Sequence, residues 1–169
     1  MDEKLQYRTM TFDRSSVNED ERTVDLSFSS EAPVMRRDGW EVLSHRAEDA
    51  DFSFISSGQA PLLLGHDAST QIGSVQSASI VDGRGQATVR FSRSALGQEI
   101  YQDVLDGIRS SVSVGYSSHS RKLDGKQDDV NVYRYAWTPY EVSIVSLPLT
   151  PNFTSMFIFS LWIRAFIFS

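Results

Sequence analysis

One strand-length run in this chain, Ser110 to Ser117, reads S-S-V-S-V-G-Y-S and carries four serines that could act as nucleophiles if a base stood within reach. Its period is two. Ser110, Val112, Val114 and Tyr116 share one face; Ser111, Ser113, Gly115 and Ser117 share the other. The first face predicts burial. The second predicts a row of hydroxyls, with Gly115 leaving room for something to approach the backbone. A half-buried strand with a polar outer face has the same pattern, so the run alone leaves both readings open. Three histidines, at 45, 66 and 119, are the candidate bases; their scatter has no metal-ligand spacing, and no metal or cofactor is expected. His66 ends the apolar run P-L-L-L-G, which predicts a strand buried on both faces. A histidine there is either a hydrogen-bonded structural residue or a functional one. Glu141 lies among Val142, Ile144 and Leu147 in a run that otherwise suits a core. A carboxylate there needs a partner, unless the strand is an edge strand and the side chain stands in water.

The elements that must position these residues follow from the periodicity. Ser94 is a helix N-cap, Leu96, Ile100, Val104 and Leu105 recur at helical spacing, and Gly107 stands where a left-handed C-cap is expected. The serine run follows that glycine at once. Upstream, Tyr7 to Phe12 and Thr23 to Phe28 alternate as strands across a polar loop, Asp13 to Arg22. Val34 to Leu43, around Arg36-Arg37-Asp38-Gly39, reads as a short hairpin or as a strand plus loop. Glu48 to Asp51 with Phe52, Phe54 and Ile55 predicts a short helix. Ile72 to Val81 and Gln86 to Ser92 are strands joined by Asp82-Gly83-Arg84-Gly85, whose glycines take positive φ. Val130 to Trp137 and Tyr140 to Leu147 are the last two strands, separated at Thr138-Pro139.

The chain has 169 residues, 40% hydrophobic and 22% charged, enough for one domain with a real core. Its net charge of -6 argues against nucleic-acid binding as the main role. With no cysteine, disulfide frameworks, zinc ribbons and cysteine nucleophiles are excluded. The N-terminus, MDEKLQYRTM, is acidic and polar and is not a signal peptide. The end, MFIFSLWIRAFIFS, is nearly all aromatic and aliphatic. It is short for a membrane span and lacks the polar half of an amphipathic helix. The expected division is therefore a domain over residues 1–152 and an anomalous apolar tail over 153–169, read as a truncated or out-of-frame end. No membrane is expected, with a protein held at a membrane by this tail as an alternative reading.

Three segments in order resemble the prohead (procapsid maturation) serine proteases of tailed phages. They are PLLLGHDASTQIGSV from Pro61 to Val75, GIRSSVSVGY from Gly107 to Tyr116 behind the DGRG hairpin and the helix, and YEVSIVSLPLTPN from Tyr140 to Asn152. The resemblance covers roughly Val24 to Asn152. It implies an α+β fold similar to the herpesvirus assemblin protease: a mostly antiparallel β-barrel flanked by a few helices. It implies a serine endopeptidase with Ser113 as nucleophile and His66 as general base. Glu141 is the candidate orienting acid, because it follows the nucleophile on a later strand. Asp67 is a poor candidate, since adjacent strand residues point to opposite faces. The implied partners are the scaffold, the delta domain of the major capsid protein and the protease itself, with a homo-oligomer allowed; the place is the procapsid inside the bacterial host. A catalytically silent capsid-assembly or scaffolding protein on the same fold is the alternative, since fold does not dictate function.

Overall fold

The chain's strands answer to apolar residues placed at every second position. The computed structural model describes residues 6–11 and 17–146; the apolar tail lies outside the described residues. The first strands are β1 (Gln6–Thr11), β2 (Val17–Asn18) and β3 (Thr23–Ser30), with Val24, Leu26 and Phe28 of β3 buried as their spacing requires. β4 (Val34–Arg36) and β5 (Gly39–Leu43) form the expected hairpin, with Arg36 opposite Gly39. The helix expected near residues 48–55 is absent, and turns replace it. One of its amides and one carbonyl are taken by the strand at Trp137 instead: Asp51 N–H bonds the Trp137 carbonyl, and Trp137 N–H bonds the Asp49 carbonyl.

Next come β6 (Pro61–Leu64), β7 (Asp67–Val81) and β8 (Arg84–Phe91). The β7–β8 turn is Asp82-Gly83, with φ of 50° and 70°; Gly85 already lies within β8 and is not a positive-φ residue. The helix α1 (Ala95–Leu105) starts at Ser94, whose side chain accepts from Gly97 N–H, and Gly107 takes a φ of 68° just past its end. Its buried face is Gly97, Ile100, Tyr101 and Val104, so the stripe is rotated away from Leu96, which is exposed. The last strands, β9 (Ser111–Gln127) and β10 (Val130–Val145), are one long hairpin. β10 runs unbroken through Thr138-Pro139, where two strands were expected. The interruption there is a bulge, with Pro139 opposite Tyr116 and Glu141 opposite Gly115, leaving Tyr140 as the extra residue.

These strands form a single sheet, mostly antiparallel, in the order β1-β9-β10-β6-β7-β8-β3-β2; β5 pairs in parallel with β10 and carries β4. The sheet is open, so the expected barrel is not formed. Its terminal strands, β1 and β2, have no ladder between them. Where β1 and β3 approach, a side chain takes the carbonyls: Arg8 donates to the Ser30 and Ala32 oxygens at 3.3 and 2.8 Å. Among the described residues α1 is the helix, where a few were expected.

The core lies on one side of this sheet. Phe28, Leu43, Leu62, Ile72, Val89, Val112, Val114 and Ile144 are fully or almost fully buried around Trp137. Each such side chain contributes about 1.5–3 kcal/mol of transfer free energy. β6 is buried at both Leu62 and Leu63, because β10 and β7 flank it. β9 departs from expectation: Val112 to Tyr116 are buried without alternation, so its serine face is covered rather than open to water.

Candidate active site

The turn that presents His66 is two residues long. Leu64 pairs with Asp67, and Gly65 and His66 between them both have φ of 64°. Positive φ at both central positions is the turn that matches strand twist, and histidine enters this region more readily than most side chains. His66 is thus a turn residue, not the last residue of a strand. The turn is tied to β10: Gly65 N–H bonds the Ile144 carbonyl at 3.0 Å, and His66 N–H bonds Ser143 Oγ at 3.1 Å.

β9 and β10 supply the rest. Ser143 stands directly opposite Ser113, and Glu141 opposite Gly115. The Tyr140 bulge makes this possible. Trp137 upstream and Val142 and Ile144 downstream all face the core, an odd-to-even change that one extra residue allows. Glu141 and Ser143 then share the face that holds Ser113. Gly115 has a specific reason to be glycine, since a Cβ there would lie 2.3 Å from Glu141 Oε1 and 2.8 Å from the Tyr140 ring.

The three residues singled out in the sequence meet. His66 Nδ1 lies 2.6 Å from Glu141 Oε1, and His66 Nε2 lies 2.8 Å from Ser113 Oγ. An ionised carboxylate can only accept, so Nδ1 carries the hydrogen and Nε2 is left to accept from the Ser113 hydroxyl. The second carboxylate oxygen, Oε2, accepts from Ser143 Oγ at 2.7 Å. The group is secluded: Ser113 has no exposed surface, and the His66 side chain is 10% exposed. Such an arrangement can move a proton from a hydroxyl to an imidazole whose orientation is held from behind.

A family model described as caudovirus prohead serine protease matches residues 39–157, a span that contains all three residues. The chain belongs to that family. A curated relative, the major capsid protein of Halomonas phage phiHAP-1, is 43% identical over 132 residues; the match takes in 75% of this chain but 22% of the relative's length. The fold is that of a solved structure titled as the bacteriophage T4 capsid assembly protease, gp21. The TM-score is 0.59 with 14% identity, over 85% of this chain and 98% of that one.

Several other titratable residues of this prohead-family chain are engaged elsewhere. Asp67 is exposed and accepts from Ser69 N–H, Ser69 Oγ and Thr70 Oγ1, contacts that hold its pKa below the usual carboxylate range. His45 lies between Ser29 Oγ and the Gly83 carbonyl, and His119 bonds Thr138 Oγ1. Three residues beyond Ser113 on the same strand, Tyr116 donates to Glu41 Oε1 at 2.8 Å, as do Arg8 and Arg36 at 3.1 and 3.0 Å. Burial, then the Glu41 charge, pushes the Tyr116 hydroxyl up to about 12. Sequence reasoning passed over this buried cluster; Arg36 and Glu41 lie on one hairpin, but Arg8 and Tyr116 lie 33 and 75 positions away from Glu41. It also assigned nothing to Ser143, although the E-x-S spacing put that residue on the Glu141 side of the strand.

Proposed function

We propose that this chain is a serine endopeptidase of phage procapsid maturation, with Ser113 as nucleophile, His66 as general base and then general acid, and Glu141 as the carboxylate that orients the imidazole. The observation that carries this reading is the continuous relay from Ser113 Oγ through both His66 nitrogens to Glu141 Oε1. Ser113 Oγ attacks the scissile carbonyl carbon while its proton passes to His66 Nε2. The tetrahedral intermediate collapses as Nε2–H protonates the leaving amine, giving an acyl-enzyme. Water then repeats the sequence: His66 takes its proton, the carbonyl accepts the hydroxide, and Ser113 leaves with the proton returned. Glu141 stabilises the imidazolium at each stage and stays ionised.

The substrates in this reading are the major capsid protein or scaffold and the chain itself, within the procapsid in the bacterial host. The curated relative named as a major capsid protein and the capsid-assembly protease of like fold support this substrate class. A second reading, a silent capsid-assembly protein, draws on one observation: Ser113 has no exposed surface. A biotinylated fluorophosphonate separates the two. The active protease labels at Ser113, Ser113→Ala is unlabelled, and His66→Ala labels only at background. Co-expression with a phage capsid protein then shows cleavage that both variants lose. A wild-type chain that neither labels nor cleaves would establish the silent reading.

A further inference from the structure

Ser143 stands where the acid and the base of the relay share a neighbour. Its hydroxyl donates its single hydrogen to Glu141 Oε2 at 2.7 Å and accepts the His66 backbone N–H at 3.1 Å. It is fully buried. The His66 N–H comes from a residue at φ 64°, a conformation that a non-glycine side chain holds only when its surroundings fix it. With Oε1 engaged by His66 Nδ1, the Ser143 bond occupies the other carboxylate oxygen and fixes the plane in which Oε1 is presented.

We propose that Ser143 is a positioning residue of the prohead protease relay, one hydroxyl locking the Glu141 carboxylate to the turn that carries His66. This rests on the serine-protease reading above. Ser143 touches neither Ser113 Oγ nor a substrate atom in that scheme; it acts through Glu141 and through the His66 backbone.

The experiment follows the rate of fluorophosphonate labelling and the downfield proton resonance of the His66 Nδ1–H in the full chain. Ser143→Ala should slow labelling by about 10- to 100-fold, the scale of losing a hydrogen bond to a charged group. It should also shift or broaden the resonance. In a Glu141→Gln background the same change should cost less than about 2-fold, because the residue it acts through is already altered. Ser143→Thr, which keeps the hydroxyl, should label within a few-fold of wild type. A folded Ser143→Ala chain with wild-type labelling and an unmoved resonance overturns the proposal. So does a full loss repeated in the Glu141→Gln background. Should Ser143→Ala not fold, a folded Ser143→Thr chain that has lost the resonance overturns it equally. Failure of the underlying reading looks different: the wild-type chain itself would not label, or Ser113→Ala would still label, whatever Ser143 does.

Discussion

At the scale of single residues, Glu141 is the sharpest test of the relay. Glu141→Gln keeps the shape and most of the hydrogen bonding, so the fold should stand. It replaces an obligate acceptor with a group that can also donate, and the imidazole tautomer is no longer dictated. Labelling and cleavage should slow by a factor between about 10 and 10⁴. A wild-type rate, with His66→Ala inactive, would make Glu141 a structural residue. Gly115 gives a complementary test from beneath. A methyl there meets Oε1 at 2.3 Å, so Gly115→Ala must displace the carboxylate or the Tyr140 ring. It should lower stability by about 1–3 kcal/mol and slow labelling as well, read by urea melts and by the probe. A rate loss in Gly115→Ala without any in Glu141→Gln would contradict the role given to the carboxylate.

At the scale of elements, the two-residue turn at Gly65-His66 fixes where the imidazole points. A Cβ on Gly65 would meet nothing within 4 Å, so its requirement is conformational alone, set by φ 64°. Gly65→Asn should therefore be nearly neutral, whereas the β-branched Gly65→Val should cost about 1–2 kcal/mol and reduce labelling. Equal behaviour of the two in denaturant would refute that account. Local pattern marked only candidates: a small polar face, a histidine after leucines and a carboxylate among valines. It was the resemblance to prohead proteases that singled out Ser113 among four serines and His66 among three histidines. Most strands and α1 were legible from periodicity. The Tyr140 bulge was not, because Thr138-Pro139 signals an interruption without saying whether the strand ends or gains a residue. Nor was the covering of the Ser113 face, which depends on a turn 47 positions upstream folding over it. The open sheet was not legible either, since whether terminal strands pair is not written in any local pattern.

At the scale of the whole molecule, Glu41 joins β1, β4 and β9 through Arg8, Arg36 and Tyr116. Glu41→Ala leaves the almost fully buried Arg8 without its counter-charge and should cost about 3–5 kcal/mol, seen as a lower urea midpoint. A shift below about 1 kcal/mol would mean that the cluster adds little. His45 connects β3 to the β7–β8 turn, and its pKa is lowered chiefly by burial, against the pull of the Gly83 carbonyl. The unfolded chain then binds the proton more readily. Its contribution is fully present above about pH 6.5 and is lost as the pH falls through the lowered value. The melting temperature of wild type should fall more between pH 7.5 and 5 than that of His45→Gln; parallel curves would reject this. The order of the strands has a consequence in time. Ser113 stands on β9 and His66 beside β6, and β10, made after both, fits between them. Until β10 arrives, β9 and β6 have no strand to hold them about 9.6 Å apart, two strand spacings, and the His66 turn has no anchor. A nascent chain that has emerged only as far as Gln127 carries Ser113 and His66 but lacks the strand that brings them together, so in the protease reading proposed above the newest strand of the sheet is also its safety catch.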